Sequence, residues 1–141
     1  MKILILCTGN SCRSQMAQGF LQSFNKNIKV YSAGTEPSGA VNPKAVAVMT
    51  EAGINISRQI PQSVDRFLNE EWDYVITVCD HANETCPVFQ GRVKKRLHIG
   101  FEDPALITGT EEYVLGRFRQ IRDQIKEAFY KLYIENIKID F

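Results

Sequence analysis

Four consecutive apolar residues, Ile3-Leu4-Ile5-Leu6, run directly into Cys7-Thr8-Gly9-Asn10-Ser11-Cys12-Arg13-Ser14. An unbroken apolar run suits a strand covered on both faces, as in a parallel sheet. From Ser14 to Asn25 the apolar residues Met16, Phe20, Leu21 and Phe24 fall at helical spacing. The polar loop therefore sits at a helix N-terminus, where unpaired N–H groups and the positive end of the helix dipole favour negative charge. Gly9 lets the backbone turn sharply, and Arg13 offers a two-pronged guanidinium to two oxygens of one anion. Cys7 lies in the same field, so its thiolate form is expected to be stabilised. A small buried hydrophobe is the plain reading of a cysteine after a strand, but it leaves the arginine six residues later unexplained. Cys7 to Arg13 reads instead as a nucleophile built into an oxyanion loop. Ser14 either donates a hydrogen bond to the Cys7 sulfur or caps the helix. The loop differs from the nucleotide-binding type, which needs a Gly-Lys-Ser/Thr run that this sequence lacks.

Strand-like and helix-like segments alternate along the chain. Strands are expected at Lys2–Leu6, Ile28–Ser32, Tyr74–Val78 and Lys95–Ile99, the last near an edge. Helices are expected at Ser14–Asn25, from Pro43 to about Ala52, over Gln62–Asn69, and from Glu111 to roughly Glu135. Pro43 suits a first turn and Gly53 a stop. Thr35 to Val41 has no clear period and reads as a loop. In the last helix Val114, Phe118, Ile121, Ile125, Phe129 and Leu132 form a stripe that should face the core. This order implies an α/β fold: a three-layer sandwich, with a four-stranded parallel sheet and helices on both faces. The 141 residues suit one domain spanning 1–141. Reactive groups in such sheets gather at the carboxyl ends of the strands. Cys7, Cys79 and Asp103 each follow a predicted strand and so belong to one edge.

A formal charge of +1 offers no broad basic surface for nucleic acid, and no apolar stretch reaches membrane-spanning length. The chain opens on a core strand rather than a secretory signal, so the expected location is cytoplasmic. In that reducing setting the four cysteines are more readily reactive than structural. With no apolar segment standing out as exposed, a monomer is expected.

Cys79 and Cys86 are seven residues apart in a polar stretch outside the periodic segments. Three readings apply. A zinc site with His81 or His98 would have a spacing matching no common zinc pattern. Two unrelated buried thiols would sit oddly among polar neighbours. A redox pair on a mobile segment is the third, and the separation permits closure without proving the strict bridge geometry. Asp103-Pro104 is a turn signal that also places a carboxyl where a general acid would stand above the loop.

Cys7 through Arg13 and Ser14, taken with Asp103-Pro104, resembles the low-molecular-weight protein tyrosine phosphatase fold. The run Cys-Thr-Gly-Asn-Ser-Cys-Arg-Ser-Gln-Met-Ala at 7–17 is similar to its arsenate reductase branch. So are Val30-Tyr31-Ser32-Ala33-Gly34, Val41-Asn42-Pro43-Lys44-Ala45, Thr77-Val78-Cys79, Asn83-Glu84-Thr85-Cys86-Pro87 and Gly100-Phe101-Glu102-Asp103-Pro104-Ala105. The resemblance spans nearly the whole chain and includes the three cysteines of the thioredoxin-coupled type. Phosphatases of this fold place aromatic residues after Asp-Pro to line a phosphotyrosine pocket; here Ala105-Leu106 follow.

The resemblance implies reduction of arsenate to arsenite by Cys7, Cys79 and Cys86, regenerated by reduced thioredoxin with no bound cofactor. Arsenate, with phosphate or sulfate as competitors, would be held by Thr8, Gly9, Asn10, Ser11, Cys12 and Arg13. Asp103 would protonate the departing oxygen. Cys12 has no required redox step and reads as packing. Some relatives hold potassium through an asparagine, a serine and two acidic residues. Asn10 and Ser32 match, but Gln18 and Gln62 stand at the acidic positions, so no metal is expected. The alternative activity is a phosphatase working through a phosphocysteine at Cys7. A non-enzymatic oxyanion- or arsenite-sensing module is a third reading.

Overall fold

The computed structural model describes residues 1–141. Its strands are β1 (Lys2–Cys7), β2 (Lys29–Gly34), β3 (Trp72–Thr77) and β4 (Val93–His98). They form one all-parallel sheet in the order β2-β1-β3-β4. The helices are α1 (Arg13–Phe24), α2 (Pro43–Glu51), α3 (Asp80–Thr85), α4 (Glu111–Leu132) and α5 (Lys138–Asp140). This is the α/β architecture expected from the alternating pattern.

β1 is covered on both faces as its composition requires. Ile3, Ile5 and Cys7 join the larger core with α1, α2 and α4, whereas Leu4 and Leu6 join a smaller one with Val64, Phe67, Trp72 and Phe89. The predicted α4 stripe, from Val114 to Leu132, is buried throughout. Each such side chain contributes about 1.5–3 kcal/mol by leaving water. The opposite face has a thinner cover, because the helix expected over Gln62–Asn69 is only one 3-10 turn, Val64–Phe67. The Ser63 hydroxyl caps that turn by accepting from Asp65 N, and the chain then turns to start β3.

Other boundaries shift for physical reasons. β3 and β4 each begin two residues earlier than expected, where Trp72 pairs with Val93. β4 reads poorly as a strand because it is the sheet edge, and its Lys94-Lys95-Arg96 run keeps that edge charged. α4 gives way at Tyr133–Ile137 to a π turn. The wider turn accommodates a five-residue step between buried Leu132 and buried Ile137.

β1 has β2 on one side and β3 on the other, so the carboxyl end of β1 lies where the connections change direction. That is where open parallel sheets form a ligand crevice. Cys7 ends β1, and Cys79 follows the neighbouring strand, registered by Leu6 opposite Thr77 and by Val78 N donating to Leu6 O at 2.9 Å.

Candidate active site

Residues 7–13 line a cavity of about 320 Å³, with Glu36, Ser38, Asp103 and Ala105 across its opening. The loop holds its shape by turning carbonyls outward. The oxygens of Cys7, Thr8, Gly9 and Ser11 accept from the N–H groups of Thr35, Glu36, Ser38 and Asn42 at 2.8–3.1 Å. The N–H groups of Gly9, Asn10, Ser11 and Cys12 donate to no protein acceptor. A row of amides with α1 behind it is an anion cradle. The segment from Thr35 to Asn42 is thus the cradle's outer frame. Gly34 permits this close approach, since a Cβ there would lie 2.4 Å from Thr8 O.

Asn10 pins the cradle from within. Its φ of 53° lies in the left-handed region, which asparagine tolerates better than most residues. Its side chain accepts from Gln62 N at 2.9 Å and donates to Ser14 Oγ at 2.7 Å, while its carbonyl accepts from Gln15 Nε2 at 2.9 Å. Asn10, Ser14 and Gln15 are fully buried. Ser14 therefore serves as the acceptor for Asn10 and does not cap α1, whose N-cap position belongs to Cys12. Gln18 accepts from Ser32 Oγ, and Gln62 Oε1 accepts from Arg66 Nη1 at 2.6 Å. Both glutamines are thus held by hydrogen bonds of their amide oxygens. Gln15, further braced by Gln59 Nε2 at 2.7 Å, was not singled out from sequence. Nothing there distinguishes a buried glutamine from a solvated one.

Arg13 and Asp103 meet above the cradle. Arg13 Nη1 donates to Phe101 O at 3.0 Å, and Nη2 lies 3.4 Å from Asp103 Oδ2. Phe101 is stacked on Phe129 of α4, with centroids 6.3 Å apart. The other Asp103 oxygen accepts from Ala105 N at 3.0 Å, capping the 3-10 turn Pro104–Leu106. One oxygen is thereby fixed by the backbone and the other faces the guanidinium. Cys12 is buried in the larger core and burial pushes its thiol up to about 11, as suits a packing residue.

The sulfur chemistry departs from the expectation for Cys7. The neighbouring Cys79 sulfur, together with burial, raises the Cys7 ionisation far above the ordinary range despite the lowering charge of Arg13. Cys79 is shifted the opposite way. The hydrogen bond from Cys7 is the main cause lowering it to about 5, with burial opposing. Thr8 Oγ1 at 3.3 Å and Ala82 N at 3.4 Å also hold the Cys79 sulfur. Cys79 is the N-cap of α3, so a second helix start supplies the field that the sequence reading assigned only to α1. The two sulfurs share one negative charge, and their titration belongs to the pair.

The stretch expected to be irregular between Cys79 and Cys86 is the helix α3, with Cys79 at one end and Cys86 at the other. Thr85 Oγ1 donates to His81 O at 2.7 Å within it. Cys86 is half-buried against the smaller core rather than in the oxyanion cavity. The structure thus brings Cys7, Arg13, Cys79 and Asp103 together and leaves Cys86 apart. All four cysteines are free thiols.

No helix is long and apolar enough to cross a membrane. The curated arsenate reductase of Halalkalibacterium halodurans is 48% identical over 124 residues, covering 87% of this chain and 88% of that protein. A solved structure described as an arsenate reductase in the phosphate binding state matches with TM-score 0.79 and 35% identity, covering 95% and 97% of the two chains. Another, described as an arsenate reductase in oxidized state, matches with TM-score 0.80 and 32% identity, also covering 95% and 97%. The family described as low molecular weight phosphotyrosine protein phosphatase matches residues 2–140, end to end through the strands, the cradle and the Asp103 turn, and the chain belongs to that family.

Proposed function

We propose that this chain reduces arsenate to arsenite through a three-cysteine disulfide relay, with reduced thioredoxin returning it to the dithiol state. The observation that carries this reading is a second thiol, Cys79, held 3.3 Å from Thr8 Oγ1 of the oxyanion loop, at the end of the strand paired with β1. A phosphatase needs one nucleophile and has no task for a second sulfur beside it. Arsenate reduction takes two electrons, the number released when two thiols become one disulfide. Relatives named arsenate reductases, one of them solved in a phosphate-binding state, support a tetrahedral oxyanion in the cradle. Ala105 and Leu106 provide no aromatic wall for a phosphotyrosine ring.

The proposed steps begin in the cradle. The amides of the 8–13 loop and the Arg13 guanidinium hold the arsenate oxygens. With the shared charge on Cys7, its sulfur displaces one oxygen from arsenic, and Asp103 supplies the proton with which that oxygen leaves as water. Cys79, passing its proton to an oxygen on arsenic, then attacks the Cys7 sulfur as thiolate. A Cys7–Cys79 bond forms, the sulfur–arsenic bond breaks, and its electron pair stays on arsenic, which leaves as arsenite. Cys86 attacks Cys79, releasing Cys7 as thiolate and moving the disulfide to the outside.

That last exchange requires α3 to unwind. Seven helical steps place Cys79 and Cys86 about 10 Å apart along the axis, whereas bridged Cα atoms lie within about 7 Å. A six-residue helix is a marginal structure, so unwinding it costs little.

The test is NADPH oxidation with thioredoxin, thioredoxin reductase and arsenate, with Cys86→Ser alongside. Sustained arsenate-dependent consumption by the native chain, lost in the variant, is expected. Undiminished turnover by Cys86→Ser over many cycles rejects the relay. No consumption by either protein rejects thioredoxin as the donor.

A further inference from the structure

The segment bearing Asp103 follows the sheet only as far as Phe101. Ile99 N donates to Thr77 O at 2.9 Å and Phe101 N to Val78 O at 3.2 Å, and the Phe101 ring stacks on Phe129. Beyond that residue, from Glu102 to Ile107, the polar contacts that reach the rest of the molecule are Asp103 with Arg13 and Glu102 with Arg117. The other hydrogen bonds stay inside the segment, from Ala105, Leu106 and Ile107 N–H groups back to Asp103 and Pro104. Pro104 is buried, which pins the chain after Asp103 rather than before it.

Arg117 is a firm point of attachment. It lies on α4 between Val114 and Phe118, two buried residues of the core stripe, so its backbone moves with the core. Its Nη2 donates to Glu102 Oε2, while its Nε is buried without an acceptor. A partly exposed ion pair adds little to stability, and a buried donor left unpaired subtracts from it. Stability alone therefore gives no reason for the pair.

We propose that Arg117 is a positioning residue for the reaction, acting through Glu102 to hold Asp103 over the cradle once the oxyanion has engaged Arg13. This rests on the reading of Asp103 as the acid in arsenate reduction. Both terminal nitrogens of Arg13 are turned to the acid segment, Nη1 to Phe101 O at 3.0 Å and Nη2 to Asp103 Oδ2 at 3.4 Å. An arsenate or phosphate in the cradle claims the same two-pronged face, so those ties weaken at the moment the acid must be in place. Glu102 and Arg117 line no part of the cavity around residues 7–13, so their tie persists when the anion binds. Asp103 alone gives the proton to the departing oxygen; Glu102 and Arg117 exchange none.

Losing the tie leaves the cradle amides and Arg13 as they are, so anion binding is unchanged and the rate of the acid-dependent step falls. The expected loss is about tenfold, a part of the roughly 10²–10⁴ that a general acid contributes. Because the effect passes through Asp103, it vanishes when residue 103 has no proton to give.

The experiment measures the single-turnover rate of arsenite formation from arsenate and its inhibition by inorganic phosphate. The proteins are the native chain, Arg117→Gln, Arg117→Lys, Glu102→Gln, Asp103→Asn, and Asp103→Asn combined with Arg117→Gln, all checked for native circular dichroism. Arg117→Gln and Glu102→Gln should each be about tenfold slower than the native chain, with Arg117→Lys recovering most of the loss and phosphate inhibition unchanged. Added to Asp103→Asn, the Arg117→Gln change should cost nothing more. A native rate in Arg117→Gln, weaker phosphate inhibition in step with the slower rate, or the same tenfold loss on top of Asp103→Asn overturns the inference. If the native chain forms no arsenite, or Asp103→Asn is as fast as the native chain, the underlying reading fails and the positioning role falls with it.

Discussion

Removing the Cys7 sulfur should abolish the low-pH thiolate of a different residue. Cys79 ionises at about 5 rather than at the ordinary 9.0, and the leading cause is the hydrogen bond from the Cys7 thiol. At pH 7 that difference separates a sulfur that is about 99% thiolate from one that is about 1%. Cys7→Ala removes the leading cause and leaves Thr8 Oγ1, Ala82 N and the Arg13 charge to work against burial, so the Cys79 midpoint should rise well above its native position. Cys7→Ser keeps a donor at the same place and should stay between the two. The assay is thiolate absorbance near 240 nm during an acid-to-alkaline titration, with iodoacetamide labelling of Cys79 as a check. A Cys7→Ala protein that still shows a thiolate titrating near pH 5 would refute the argument. The pair also shapes stability. Between about 5 and 9.0 the native state has released a proton from Cys79 that the unfolded chain keeps, so stability rises with pH and is lost as pH falls through about 5. Above 9.0 unfolded cysteines ionise while Cys7 stays protonated, so stability falls again. The pair's contribution to the denaturation midpoint should therefore peak near pH 9, and this peak should vanish in Cys7→Ala.

Other substitutions probe the cradle and the acid. Asn10→Ala loses the buried bonds to Gln62 N and Ser14 Oγ and forces alanine into the left-handed region. About 2–4 kcal/mol of stability should go, read by urea denaturation, with a higher KM for arsenate. Gly34→Ala drives a Cβ into Thr8 O, so the cradle must shift. Because misplacement on the order of 1 Å can cost about 100-fold, kcat/KM should fall by tens- to a hundredfold while the circular dichroism stays native. Asp103→Asn keeps the cap on Ala105 but removes the proton donor, and should lower the single-turnover rate about 10²–10⁴-fold while phosphate inhibition is retained.

How much of this was readable in the sequence depended on how local each feature is. Cys7, Gly9 and Arg13 are joined by a few bonds, and the strand before them and the helix after them announce themselves by periodicity. The cradle was legible for that reason. The proton shared with Cys79 was not, because it depends on β1 and β3 lying side by side with Leu6 opposite Thr77. α3 was hidden because Asp80–Thr85 is short and polar and owes its start to a cysteine N-cap, an uncommon capping residue. The frame from Thr35 to Asn42 acts through backbone N–H groups, which leave no side-chain signature. Gln15 and Gln59 look like any solvated glutamines until the fold buries them. Arg117 reads as one more charge beside the α4 stripe, and only the fold brings Glu102 to it.

The central claim is that electrons leave through Cys7, Cys79 and Cys86 in that order. It is tested most directly by mapping disulfides after one equivalent of arsenate is added to the fully reduced protein, without thioredoxin, and the reaction is acid-quenched. The account predicts a Cys79–Cys86 disulfide and one equivalent of arsenite from the native chain, and a trapped Cys7–Cys79 disulfide from Cys86→Ser. Arsenite formed while all four thiols remain free, or a bridge involving Cys12 in place of these, would contradict it.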